Sequence, residues 1–335
     1  MEWTKAVTPA LNKHSVFVFA PQDEEGVEAT TGWTSIPFSG TLDFNLQGNM
    51  EAFEQSDGVQ YLHLFYSSGA WFEGGVPIVL SPEGGAFANL VEWITARDDA
   101  NQAPFCTVWV KDDNLERGIV DVKVVEATIN LSKGEPVTFS LTLRGKRPAE
   151  GEYPTEVTPD TGGPYLWKDS TVESGWYGGE TEEDINFETL EIRIDNGVDD
   201  GGEGLRLTEG VYPTRLYNLN DMEVTGSFER DYIVDDDGDG LYGGDLYAAF
   251  IEQIENSFDD QGDFAMKLTL TRNDVDLEMD MPRIKFTDVG PALEGSNRGR
   301  IVQAVEFQAI ASYDDVAEKW VPPVVIAYTN GGGSS

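Results

Sequence analysis

The residues whose types and spacing come nearest to chemistry are Asp235-Asp236-Asp237-Gly238-Asp239-Gly240. Carboxylates at the first, third and fifth positions and glycine at the sixth match the start of a calcium loop, where short acidic side chains offer hard oxygen ligands around a tight turn. The twelfth position is Leu246 in place of a bidentate Glu, and a strand-like stretch precedes the motif, so it is not an EF-hand. Two readings stay open: Asp235, Asp237 and Asp239 hold Ca2+, or they form a solvated acidic turn. No other cofactor is expected.

Catalysis has little to work with. His14 and His63 are the two histidines, and neither has a partner Ser or Cys in its sequence context. There is no phosphate loop with its Lys, no HExxH and no CxxC. Carboxylate pairs suited to glycoside hydrolysis arise by chance among 61 acidic residues. The sequence is therefore not expected to encode an enzyme. The single cysteine, Cys106, excludes an intramolecular disulfide and reads as a small buried hydrophobe in a strand-like run at 105–110. The first residues lack an apolar stretch of signal-peptide length and no later stretch suits a membrane span, so folding in a cytoplasm and no membrane partner are expected.

With Lys+Arg 22 against Asp+Glu 61, the formal charge is -39. Such a surface cannot release counterions from DNA by gripping it. It suits a channel through which DNA slides without sticking, and equally a host with a salty cytoplasm. Residues 147–187 change texture, with Pro148, Pro154, Pro159 and Pro164 among glycines and acids, and with Tyr165, Trp167, Trp176 and Tyr177 clustered. Those aromatics read either as a carbohydrate platform or as anchors against this chain's own or an adjacent subunit's surface.

The elements that must position these residues come in two sets. Leu246, Phe250 and Ile254, with Tyr247 and Ile251 beside them, form an apolar stripe of helical period. Strand-like runs follow, the last alternating as Val305-Glu306-Phe307-Gln308-Ala309. Phe87, Leu90, Val91 and Ile94 reappear 160 positions later as Tyr247, Phe250, Ile251 and Ile254. The alternating run Val137, Phe139, Leu141 reappears 168 positions later as Val305, Phe307, Ala309. The sequence thus predicts a duplication: a mainly β protein of two tandem domains, each a β-sandwich or partly closed barrel with one flanking α-helix. The expected divisions are an N-terminal arm at 1–35, the two domains at 36–146 and 188–313, a linker at 147–187, and a C-terminal segment at 314–335 ending in a flexible GGGSS tail.

The second half, through LEIRIDNGVDD, MEVTGSFERDY, DLYAAFIEQIE, FAMKLTLTR, MPRIKFTDVG and IVQAVEFQAIAS, resembles the major tail tube proteins of long-tailed, non-contractile bacteriophages; residues 36–146 resemble them less closely. The resemblance implies a structural virion protein of the siphovirus type, assembled in the host cytoplasm. Its copies join laterally into stacked rings around a β-lined channel for DNA ejection, with tape measure, tail terminator and distal tail proteins as partners and no specific DNA binding. Rings of single-domain subunits are typically hexamers, so a fused pair closes as a homotrimer ring with pseudo-sixfold symmetry. Candidate contacts between subunits are Val16, Val18, Tyr165, Trp167, Trp176, Tyr177, Leu293, Arg298, Val324 and Ile326. The alternative is an extracellular or virion-surface adhesion module that binds carbohydrate through its Trp/Tyr cluster.

Overall fold

The computed structural model describes residues 16–39, 42–52, 65–79, 86–111, 116–157, 163–179, 181–183, 187–198, 212, 216–231, 243–255, 263–273, 275–292, 302–314 and 318–330. His14, His63, Asp235, Asp237, Asp239, Leu293 and Arg298 lie outside them. The first half comprises β1 (Val16–Pro21), β2 (Thr34–Ile36), β3 (Asp43–Ala52), β4 (Phe65–Val79), α1 (Ala86–Thr95), β5 (Cys106–Lys111), β6 (Glu116–Ser132), β7 (Thr138–Gly145) and β8 (Arg147–Pro148). A 3-10 turn at Trp167–Asp169 leads to β9 (Ser170–Trp176), β10 (Glu182–Glu183), β11 (Phe187–Asp195), β12 (Glu223–Asp231), α2 (Gly243–Glu255), β13 (Phe264–Arg272), β14 (Val275–Ala292) and β15 (Val302–Ala309). The chain closes with β16 (Ser312–Asp314), β17 (Lys319–Val321) and β18 (Val325–Asn330). The protein is mainly β, as its alternating runs require.

All the named pairings are antiparallel. In the first half they run β3-β4-β7-β6-β5-β1-β2, with β8 beside β6. In the second they run β11-β12-β15-β14-β13-β9-β10, with β18 beside β14. Pairing of β6 with β11 joins the two runs. The long strands β6 and β14 each carry two register shifts: β6 against β5 (Cys106/Val108) and β7 (Val124/Glu126), β14 against β13 (Phe264/Met266) and β15 (Phe286/Asp288). Each extra residue bends its strand, which lets one long strand pass from one ladder into the next.

Period-2 patterning places the core. Phe139, Leu141 and Leu143 of β7 are buried, as are Val305, Phe307 and Ala309 of β15. The helices are anchored on the long strands. Leu90, Trp93 and Ile94 of α1 are buried, Trp93 stacks on Phe19 at 5.0 Å, and its Nε1 donates to the Val122 carbonyl at 3.3 Å. On α2, Leu246 is buried and the Gln253 Oε1 accepts from the Phe286 backbone N–H at 2.8 Å.

Three expectations change. The segment read as an arm supplies β1, whose Phe17, Val18 and Phe19 are fully buried against β5, and Asp121 holds the chain beyond it by accepting from Gln22 Nε2 (2.9 Å) and Gly26 N (2.6 Å). The segment read as a linker supplies β9, paired to β13, and Tyr165 lies in the core. Gly74-Gly75, a dipeptide whose composition suggests a turn, runs inside β4, where Gly74 at φ +154 lies against the Asp43 carbonyl.

Gly226 of β12 occupies the corresponding crossing in the second half: a Cβ there would meet the Phe307 ring and the Glu191 carbonyl oxygen. Gly226→Ala is therefore expected to cost about 1–3 kcal/mol, the usual penalty for forcing atoms into a packed site, read as a lower urea midpoint at unchanged slope. A midpoint at or above that of the unaltered protein would show that this crossing has slack.

Candidate functional site

Among the described residues no three His, Cys, Asp or Glu gather as metal ligands, and burial raises the Cys106 thiol pKa well above its ordinary value. A buried thiol of that kind is not a nucleophile at neutral pH. The aromatic cluster does not form a platform. Tyr165 is buried, Trp167 packs partly buried against the core, Trp176 meets Phe264 edge-on at 5.8 Å, and Tyr177 lies under Arg283 at 5.1 Å. Its four members are tied to separate partners.

The feature with the most specific geometry is the seam between the halves. Along it Leu190 faces Leu131, Ile192 faces Ile129 and Ile194 faces Ala127. All six side chains are buried. At the end of β11 the apolar seam gives way to a polar one. Asn196 donates through Nδ2 to the carbonyls of Ile94 (3.1 Å) and Val124 (3.0 Å), and its Oδ1 accepts from Arg97 Nη2 at 2.5 Å. Asn218 donates through Nδ2 to the Asn196 carbonyl at 2.6 Å. Its Oδ1 accepts from the Ala103 N–H (3.0 Å) and the Lys123 ammonium (2.7 Å). Gln102 Oε1 accepts from Lys123 at 3.1 Å and from the Asn218 N–H at 2.9 Å. Arg97, Gln102 and Lys123 come from the first half, and Asn196 and Asn218 from the second.

Lys123 is fully buried, and this desolvation lowers its pKa from 10.5 to about 8, against which Glu25 pulls upward. Its ammonium also lies 4.5 Å above the Phe105 ring, a favourable place for a desolvated cation. No local pattern announced these residues; each is an ordinary polar letter until the fold brings it together with others about a hundred positions away.

The expected contact residues are placed as follows. Val18, Tyr165 and Val324 are buried within this chain, Val16, Trp167, Tyr177 and Ile326 are half-buried, and Trp176 is 41% exposed. The larger exposed apolar side chains sit elsewhere. Leu46 on β3 is 50% exposed; Tyr247, Ile251 and Ile254 on α2 are 51%, 41% and 61% exposed. Trp320 stands out on the β16–β17 hairpin, T-stacked with Tyr313 at 5.4 Å. The α2 stripe reads in sequence as a sheet-packing face, yet three of its five residues stand exposed.

Residues 13–309 match the family model described as phage tail tube protein, and the chain belongs to that family. It is thus a structural component of a phage tail, hence of the virion, and not an enzyme. Among solved structures, a chain of the anti-feeding prophage baseplate, from sixfold-symmetrised cryo-electron microscopy, is similar at 9% identity over 49% of this chain and 93% of that one, with a TM-score of 0.25. No curated protein matches.

Two outcomes test the seam. Asn218→Leu takes from the Lys123 ammonium one of its two oxygens and strands the Ala103 N–H and the Asn196 carbonyl, and is expected to destabilise by about 3 kcal/mol or more in chemical unfolding; a loss below about 1 kcal/mol would show the network to be dispensable. Because Lys123 holds its proton less well folded than unfolded, its penalty is fully present below pH 8 and is relieved as pH rises from about 8 towards 10.5. The stability of the unaltered protein relative to Lys123→Met should therefore increase over that interval, and a gap independent of pH would place the ammonium in water.

Proposed function

We propose that this chain is a major tail tube subunit made of two fused tube units, which closes as rings of three copies with pseudo-sixfold symmetry. The observation that carries this reading is the shared order of strand pairing in the halves. It is supported by the matched bulges in β6 and β14, by Gly74 and Gly226 at the same crossing, and by a helix tied to the long strand in each. The units run from β1 to β8 and from β9 to β18, so the segments first read as arm and linker each give a strand to a unit. Duplication of one tube gene accounts for both. Stacked rings then form a tube of the siphovirus type.

The net charge of -39 gives the channel its character. DNA and wall repel one another, so the nucleic acid passes through the lumen without condensing on it during ejection. The same repulsion acts between subunits, and salt shortens its reach to about 8 Å at 0.15 M. Partners beyond the chain itself are other tail components, the tape measure, terminator and distal tail proteins.

Negative-stain electron microscopy with light scattering across protein and salt concentrations tests this. The expected particles are rings or stacks with six lobes around a central hole, each ring weighing as three chains of 36.9 kDa, and more abundant as salt rises. Rings containing six chains, or a monomer under every condition, would overturn the reading.

A further inference from the structure

The seam inside the chain has two unmatched halves on its outside. In the first unit the end of β6 beyond the reach of β5 is paired on that side by β11. In the second, β13 ends its ladder at Ile284, and among the described residues no strand pairs with the same side of residues 285–292. At the other end of the chain, β3 pairs with β4 on one side and with no described strand on the other. Among the described residues, one copy therefore carries an unpaired acceptor edge and an unpaired donor edge of the kind that its own seam joins.

Side-chain exposure follows the same division. Aligning the units on their bulges and on Gly74 with Gly226 matches Phe44 to Ile192 and Leu46 to Ile194. Ile194, at the seam, is 1% exposed; Leu46 is 50% exposed. Likewise Ile94, where α1 meets Asn196 and β18, is 1% exposed, whereas its counterpart Ile254 is 61% exposed. Ile194 and Ile94, which the seam buries, thus have exposed twins where the seam is missing, while Phe44, the twin of Ile192, is buried within its own unit.

From this juxtaposition we infer that a second copy of the chain lays its β3 along residues 288–292 of β14 and covers the α2 stripe, repeating the internal seam between copies. The inference rests on the ring reading and names its interface. Transferring the internal register sets Gln47 opposite Asp288, Leu46 opposite Val289, Asn45 opposite Gly290 and Phe44 opposite Pro291. Leu46 then lies beneath Ile254 and Ile251 of the copy it joins. The ladder is consistent in detail. In the seam, Lys133 N donates to the Glu188 carbonyl (3.0 Å) and Asn196 N to the Val125 carbonyl (2.8 Å), so odd-numbered residues of β6 exchange hydrogen bonds with β11. By that alternation Pro291 would owe an N–H to the Phe44 carbonyl and has none to give. The Phe44 carbonyl already accepts from Arg117 Nη1 of its own chain at 3.2 Å.

Asn45 and Gly290 form a non-hydrogen-bonded pair in this register, the type whose Cα atoms approach within disulfide range. Asn45 is exposed, a Cβ added at Gly290 meets nothing within 4 Å, and the only native thiol, Cys106, is buried. The experiment oxidises the double variant Asn45→Cys/Gly290→Cys in rings assembled as above, and compares it on non-reducing gels with Asn45→Cys/Asp288→Cys, whose diagonal spacing of about 7–8 Å is too long to bridge. The expected result is dimer and trimer bands from the first and monomer from the second. Separately, Ile254→Asp should weaken association at least about 30-fold, as loss of one buried hot-spot side chain does, with the monomer's melting temperature unchanged. Rings that form without the Asn45–Gly290 crosslink, or that tolerate Ile254→Asp, would overturn this interface while leaving the ring reading intact. A protein that never leaves the monomer would overturn both.

Discussion

Everything in this fold depends on the hydrogen bonds that a long strand must make on both of its sides. β6 runs from Glu116 to Ser132 and β14 from Val275 to Ala292, each far longer than one neighbour can serve. An unpaired backbone group in a packed interior is costly, so the strands change partners along their length, β5 and β8 giving way to β7 and β11 along β6. The bulges are where the change is made, because one extra residue turns the strand from one ladder to the next. Helix placement follows, since Trp93 and Gln253 each reach a backbone group of the long strand beneath.

The polar end of the seam shows how orientation is held once pairing has set position. Apolar contact along Leu190, Ile192 and Ile194 is non-directional and would tolerate sliding. Asn196 and Asn218 tolerate none, because displacing either breaks several hydrogen bonds at once, and moving Asn218 also takes one of its two oxygens from Lys123. The network adds less net stability than its length suggests, since burying an ammonium costs nearly what its partners return. Its effect is to make alternative registers expensive. The edge pairing proposed between copies calls for that kind of rigidity.

Much of this was legible in the sequence. The helical stripes and the alternating runs of β7 and β15 announced their elements because each buries one face, and period reports burial. The mainly β class, one helix per half and the order of elements followed from them. The failures share a cause. VFVFA, at the start of β1, is a short unbroken apolar run beside an acidic turn, and neither feature distinguishes a core strand from an arm. STVESGW, which is β9, has one apolar residue among polar ones, because its neighbour and not its own side chains makes it a strand. Gly74-Gly75 reads as a turn by composition, yet Gly74 is there to let two backbones touch. Asn196 precedes a glycine, a pairing common in hairpins, whereas its link to Arg97 spans 99 positions and leaves no local signature.

The seam between the halves is made within one chain, and this sets a rule of parity. Its partners are held at an effective concentration fixed by the covalent connection, so dilution cannot separate them. Contacts between chains have no such tether and answer to mass action. On the proposed reading of two fused tube units, an assembly gains and loses sheet units in pairs, so that its growth has a quantum of two.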